Sequence, residues 1–158
     1  MPRDDFAAVA LAEFAAHGEA TDNVLEFDAE DLWPYFAENS EFLLLMWHQK
    51  DEYALLDDRR REAILKLLAS FPTLPPPFSR LCWDIAFSST KRVRPLAQAA
   101  LANEVRKEER ILAALAGRNS EHRSIAAAWL ASLGSNEAIP ALKKALAKER
   151  HELTAGAI

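Results

Sequence analysis

Glycine and cysteine are both scarce in this chain of 158 residues, and each scarcity argues against a class of protein. Four glycines are few for Gly-rich phosphate-binding loops or for a β fold that is dense in turns. The single cysteine, Cys82, cannot form a disulfide within the chain, which fits a reducing compartment.

Long hydrophobic runs and a basic N-terminal segment are also missing. No apolar run, that of residues 42–47 included, approaches the roughly 20 residues of a membrane-spanning helix. Asp4 and Asp5 lie where a secretory signal carries positive charge. We therefore expect a cytoplasmic protein that does not enter a membrane.

The composition is that of a folded domain, and its charge is unevenly distributed along the chain. Half of the residues are hydrophobic and 27% are charged, as in globular proteins. Residues 1–58 contain 15 acidic and 2 basic side chains, whereas residues 59–158 contain 9 acidic and 17 basic ones. An acidic first part and a basic second part bear on the partners that each can bind.

Apolar residues recur with the period of an α-helix along nearly the whole chain, and no segment reads as a convincing strand. Asp28 or Asp31 can cap a short helix with Pro34 in its first turn. Asp57 and Asp58 can begin a later helix. The Pro-rich stretch 72–77 is expected to form a rigid turn. We predict helices over residues 5–17, from 28 or 31 to 38, and over 40–48, 57–71, 78–87, 92–102, 106–116, 120–133 and 136–147, and a last one from about 150.

Internal repeats support an all-α stack of helical hairpins. With an offset of 29 residues, Ala97 aligns with Ala126 and Leu101 aligns with Leu130. Each unit has a first helix with small residues, a tight turn and a second helix with a Leu/Ile stripe. We predict an irregular helical portion over residues 1–56 and three full units plus a truncated fourth over 57–158, as one continuous α-solenoid, or α-α superhelix.

The clearest stripe consists of Ile139, Leu142 and Leu146, close to the end of the chain. A solenoid usually ends in a polar capping helix, yet this chain stops within the first helix of its fourth unit. We expect the sequence to be cut from a longer protein, and its last apolar face to be uncovered.

The repeat resembles a known family in residues 123–142, RSIAAAWLASLGSNEAIPAL, where a Leu-Gly turn precedes Ala-Ile-Pro-Ala-Leu. This pattern is similar to the HEAT-like repeats of phycobilin-lyase-type proteins. The segments DLWPYFAEN (31–39), DDRRR (57–61), FPTLPP (71–76) and RPLA (94–97) look like the helical region of large bacterial proteins related to the molybdate metabolism regulator MolR. The resemblance implies an α-solenoid scaffold and assigns no catalytic residue.

Candidate catalytic or metal-binding groups do not form a recognisable motif. The four histidines, His17, His48, His122 and His151, are scattered, although the last two share a repeat position. Cys82 lies in an apolar helix and is interpreted as a buried small hydrophobe. We therefore predict no enzyme activity, no metal and no cofactor. Of the four tryptophans, only Trp33 or Trp47 is considered for exposure to a partner.

Basic side chains recur once in each repeat, so that stacking would align them into a stripe. The stripe residues that we single out as a partner-binding surface are Arg94, Arg110, Arg123, Lys144 and Lys148. They can follow a phosphate backbone, form a solvated face, or meet acidic surface elsewhere in the parent chain.

Two functions from different classes remain. We expect a non-catalytic module that binds a protein or other domains of its own parent chain. The alternative is binding of nucleic acid, DNA in particular, through the basic stripe. A continuous positive groove would favour the alternative, whereas a mixed or apolar groove would favour the module, and a deep pocket with converging polar groups would reopen catalysis.

Overall fold

The computed structural model describes residues 29–50, 54–149 and 155–156, and for residues 54–57 it describes the backbone alone. The regular structure of this part of the chain is helical, and no strand forms within it, which confirms the all-α prediction. In chain order the helices are α1 (Ala29–Glu38), α2 (Ser40–His48), α3 (Ala54–Leu68), α4 (Pro76–Ala86), α5 (Arg94–Ala100), α6 (Lys107–Leu115), α7 (Ser120–Leu133) and α8 (Ile139–Lys148), with a 3₁₀ turn (Asn136–Ala138) before α8.

The described residues form two compact units. The first holds the residues up to Ala86 together with Lys91–Asn103, and the second holds Phe87–Thr90 together with the residues from Glu104 onward. This division does not test the predicted boundary between the irregular portion (residues 1–56) and the repeats (57–158), so that boundary stays a prediction. The stacked-hairpin arrangement likewise stays a prediction.

The first unit is organised around α3, which packs against α1, α2 and α5, while α4 also packs against α5. The predicted apolar residues of α3 and its following turn, Ile64, Leu65, Leu68 and Phe71, are all buried. Their burial removes apolar surface from water and supplies the main stabilising term of this unit.

Side chains reach across the first unit to satisfy the ends of its helices. Arg60 Nε donates a hydrogen bond to the Met46 carbonyl at 2.9 Å, and Arg60 Nη2 donates to the Gln49 carbonyl at 2.8 Å. Gln98 Nε2 donates to the Ala86 carbonyl at 3.2 Å. The last carbonyls of a helix have no partner within that helix, so these bonds stabilise the ends of α2 and α4.

The second unit is built on α7, which packs along α6 and buries Ile125, Ala126, Trp129 and Leu130. Asn119 caps its start, since the side-chain oxygen accepts hydrogen bonds from the amides of Glu121 and His122 at 2.9 and 3.2 Å. Gly134 ends it with a left-handed φ of 64°, which a residue with a Cβ adopts only at a cost. These two signals explain why the predicted bounds of this helix are confirmed.

The predicted place of Pro34 in its helix and the predicted start of α3 are wrong. Pro34 lies in the interior of α1 instead of its first turn, because the helix already begins at Ala29. The missing bond to the carbonyl four residues earlier is tolerated while Leu32 and Phe36, on one face, are both buried. Helix α3 begins at Ala54 and not at Asp57, since alanine and leucine extend a helix readily in front of the two aspartates.

Smaller differences concern the turns. Pro76 and Pro77 belong to the first turn of α4. Helix α5 is shorter than predicted, beginning at Arg94 just before Pro95. The predicted helices over 5–17 and from about 150 lie outside the described residues, apart from positions 155–156.

Candidate partner-binding cleft

A cleft of about 540 Å³ lies within the second unit, between the C-terminal end of α6 and one face of α8. The turn at Gly117 and the first part of α7 complete its wall. Its apolar lining consists of Leu112, Leu115, Ala116, Ala141 and Ala145, and its charged lining consists of Arg123, Lys144, Lys148 and Glu149. An apolar wall with a few charged groups is the usual composition of a binding site.

Arg123 is held rigidly at this cleft by four hydrogen bonds. Its Nε and Nη2 donate to the two carboxylate oxygens of Glu149 at 2.7 and 3.0 Å. Its Nη1 donates to the carbonyls of Gly117 and Arg118 at 3.2 and 2.8 Å. The Arg123 side chain is only 20% exposed and the Glu149 side chain 3% exposed. This fork-shaped pair fixes one wall of the cleft and joins the start of α7 to the end of α8.

The hydrogen bond with Glu149 raises the pKa of the Arg123 guanidinium above its ordinary value, and the nearby negative charge acts in the same direction. A group with a raised folded-state pKa contributes its stability below the unfolded-state pKa and loses it as the pH rises through the folded value. For an arginine that window lies far above neutral pH, so Arg123 stays charged under ordinary conditions.

Lys144 and Lys148 lie one helical turn apart on the cleft-facing side of α8. Both side chains are exposed, and neither has an ion-pair partner among the described residues. Because Arg123 and Glu149 neutralise each other, these two lysines supply the net positive charge of the cleft.

The structure brings three of the five predicted stripe residues, Arg123, Lys144 and Lys148, to this cleft. Arg110 is exposed on α6 of the same unit, outside the cleft lining. Arg94 is half-buried at the start of α5 in the first unit.

Acidic neighbours neutralise several other basic side chains. Arg106 Nη2 lies 2.7 Å from a carboxylate oxygen of Glu109, and Arg92 Nη2 donates to Glu62 at 3.1 Å. The hydrogen bond to Glu109 also raises the pKa of the Arg106 guanidinium. Such pairs reduce the number of cations that are available to a polyanion.

The aromatic and sulfur-containing candidates are mainly packing residues. Cys82 is buried, as predicted, and so are Trp83 and Trp129. Trp33 is half-buried, with its ring centroid 6.0 Å from that of Phe71. Trp47 is also half-buried, and the guanidinium of Arg61 lies 5.8 Å from its ring centroid.

The histidine at the shared repeat position has an aromatic neighbour. The ring of His122 lies 5.4 Å from that of Phe87, while His151 lies outside the described residues. Within the described ranges, no group of three or more His, Cys, Asp or Glu side chains is placed to hold a metal ion. Over the same ranges, none of the helices has the length and apolar character needed to cross a bilayer.

Sequence reasoning missed the cleft, the role of Glu149 and the exposure of α8. Arg123 and Glu149 are 26 residues apart, which differs from the repeat offset, so no pattern connects them. Helix α8 buries none of its ten residues, although its Leu/Ile stripe follows the helical period. A stripe alone does not indicate whether a neighbour covers it.

No protein-family model, curated protein or solved structure matches this chain.

Proposed function

We propose that this chain is a non-catalytic protein-interaction module of stacked HEAT-like hairpins. The observation that supports the proposal is the exposure of α8, which buries none of its ten residues. Ile139 and Leu146 occupy one face of this helix and are 43% and 47% exposed. A helix in a folded domain normally buries one apolar face, so a helix without buried residues is suited to a protein partner or to a further hairpin.

The packing within each unit agrees with such a stack. In the first unit, α3 packs against α5, the first helix of the next predicted hairpin, and α4 packs against the same helix. In the second unit, α6 packs against both α7 and α8. Contacts from one hairpin to the next are what a solenoid requires, and the sequence resemblance to HEAT-like and MolR-related proteins points the same way.

Nucleic-acid binding through the basic stripe is the second candidate, and the exposed pair Lys144 and Lys148 is the observation in its favour. Against it, Arg123 is neutralised by Glu149, so it adds no net positive charge that could attract a phosphate. The mixed, partly apolar cleft lacks the continuous positive charge that a phosphate backbone needs.

Fluorescence anisotropy with labelled duplex DNA and single-stranded RNA, at low and near-physiological salt, separates the two candidates. We expect no micromolar binding at either salt concentration. Binding that falls steeply with salt and is lost when Arg110, Lys144 and Lys148 become Glu would overturn the proposal in favour of a phosphate-binding surface.

A positive test uses the outer face of α8. We expect protein partners cross-linked to the wild-type chain in cell extract to be lost from an Ile139→Asp/Leu146→Asp variant. The variant should keep its helical circular dichroism, because neither side chain is buried. A Val105→Asp variant, changed at another exposed apolar residue, is the matched control. Equal recovery of cross-linked partners with the wild-type chain and with both variants would contradict a role of α8 in binding a protein partner.

A further inference from the structure

The side of α8 opposite Ile139 and Leu146 carries a second, chemically different surface. Lys144 and Lys148 form a basic stripe along the helix, and Ala141 and Ala145 form a stripe of small apolar residues beside it. The two stripes follow from the helical period, which places residues four apart on the same face. The alanines leave room, because their side chains end at Cβ.

Across the cleft, α6 supplies larger apolar groups. Leu112 is half-buried and Leu115 is buried, and both line the same space as Ala141 and Ala145. With about 540 Å³, the space falls within the roughly 300–1,000 Å³ of known ligand sites, enough for one or two large apolar side chains. It is partly open to solvent, which suits a side chain presented by a chain segment.

The charges of the cleft determine which charge a partner must carry. The Arg123–Glu149 pair contributes no net charge and its hydrogen bonds are already made within the unit. Lys144 and Lys148, which have no ion-pair partner in the part of the chain that the structure describes, leave a charge of +2 at the rim of an apolar surface. A complementary partner therefore has two negative charges beside an apolar group, since buried interfacial charges need a counter-charge.

We propose that this cleft binds an acidic amphipathic segment of another protein, with apolar side chains inserted between α6 and α8 and carboxylates paired with Lys144 and Lys148. The apolar lining favours a peptide over a nucleic-acid backbone, which offers no apolar side chain to fill it. The proposal rests on the proposed interaction function and names the partner chemistry of one surface. A helical segment with acidic residues at i and i+4 and apolar residues at i+1 and i+5 reproduces both stripes in complementary form.

The test uses fluorescein-labelled 14-residue peptides in an Ala/Gln host, titrated with the whole chain. The first probe has Glu at i and i+4 and Leu at i+1 and i+5. In the second probe the leucines are Ser, in the third the glutamates are Lys, and a labelled DNA duplex is the fourth. We expect binding of the first probe in the micromolar range, and at least tenfold weaker binding of the other three.

Two cleft variants and two matched controls locate the binding. Lys144→Glu/Lys148→Glu reverses the rim charge, and Ala145→Phe fills the apolar space; each should weaken binding of the first probe at least tenfold. Lys143→Glu and Ala147→Phe change exposed α8 residues outside the cleft lining and should leave its affinity within twofold. The lysine variants change exposed residues alone, so they remain informative if Ala145→Phe fails to fold.

The inference is overturned by no detectable binding of the first probe at 1 mM in low salt, by equal losses in cleft and control variants, or by tighter binding of the DNA duplex. Its failure is distinguishable from failure of the interaction function. Cross-linked partners could be lost from the Ile139→Asp/Leu146→Asp variant while the cleft variants have no effect on peptide binding. That result would support the interaction function and contradict the acidic amphipathic segment as the partner of the cleft.

Discussion

The guanidinium of Arg123 donates hydrogen bonds to four acceptor oxygens within its own unit, and this changes what a basic residue at its position contributes. A surface arginine adds to the positive potential that a polyanion encounters, whereas Arg123 is neutralised by the two oxygens of Glu149. The remaining hydrogen bonds tie it to the turn at Gly117 and Arg118. Its role is to shape the cleft wall, and the lysines beside it are the groups that can meet a partner.

Asn119 is the residue whose contribution to local stability is most directly testable. Its side chain satisfies two amides at the start of α7, which otherwise would rely on water. We expect Asn119→Ala to lower the free energy of unfolding by about 1 kcal/mol, measured by urea denaturation followed by circular dichroism.

The matched control is Asn136→Ala, at an exposed position of the 3₁₀ turn. It should change the free energy of unfolding by less than about 0.5 kcal/mol, as surface substitutions usually do. Equal losses from both variants would mean that the Asn119 cap does not stabilise α7 in solution.

At the scale of elements, the attachment of α8 differs from that of the other helices. Helix α7 buries five residues, whereas α8 buries none. The carboxylate that follows α8 is nevertheless almost completely covered through its bonds to Arg123. The end of α8 is thus held by a charged fork instead of by a hydrophobic face, and the neighbouring cleft stays open.

This attachment predicts a specific effect of Glu149→Gln. The amide keeps the shape but loses the charge and one acceptor oxygen, so the fork around Arg123 can no longer form completely. We expect hydrogen exchange of the backbone amides in the last turn of α8 to become severalfold faster, while those of α7 change little.

Two comparisons separate this fork from a general charge effect. Arg123→Lys keeps the charge but cannot make the paired bonds, so it should also accelerate exchange in the last turn of α8. Glu137→Gln removes an exposed carboxylate from the 3₁₀ turn and should leave exchange unchanged. Unaltered exchange in Glu149→Gln would show that the fork does not hold α8.

For the whole molecule, the exposed apolar side chains of the second unit predict self-association. Ile139 and Leu146 would each bury more area against a second copy than they do in the isolated chain. We expect the average mass from light scattering to rise with concentration, and to stay close to that of a monomer in an Ile139→Ser/Leu146→Ser variant.

Val105→Ser provides the comparison, because Val105 is an exposed apolar residue of the same unit that lies outside α8. It should leave the mass increase unchanged. A wild-type chain that remains monomeric at all concentrations would contradict the prediction.

The sequence by itself determined the helical class and the positions of several helices. The bounds of α2 and α7 agree with prediction. For α7, the apolar period, a capping Asn and a terminating Gly all lie within or next to the helix. Helix formation is governed by bonds and caps between residues four or fewer apart, so a local pattern contains most of the information. The start of α3 and the place of Pro34 in α1 were missed, because an aspartate or a proline is compatible with more than one position near the start of a helix.

Only the tertiary structure decided which cations are neutralised and which surface is left uncovered. The repeat pattern treats Arg123, Lys144 and Lys148 alike, yet among the described residues only Arg123 has a buried carboxylate within reach. The Leu/Ile stripe of α8 has the period of a buried face and is not buried. Ion pairs and burial depend on side chains that are distant in sequence, and the position of such a neighbour follows from packing, not from helical period.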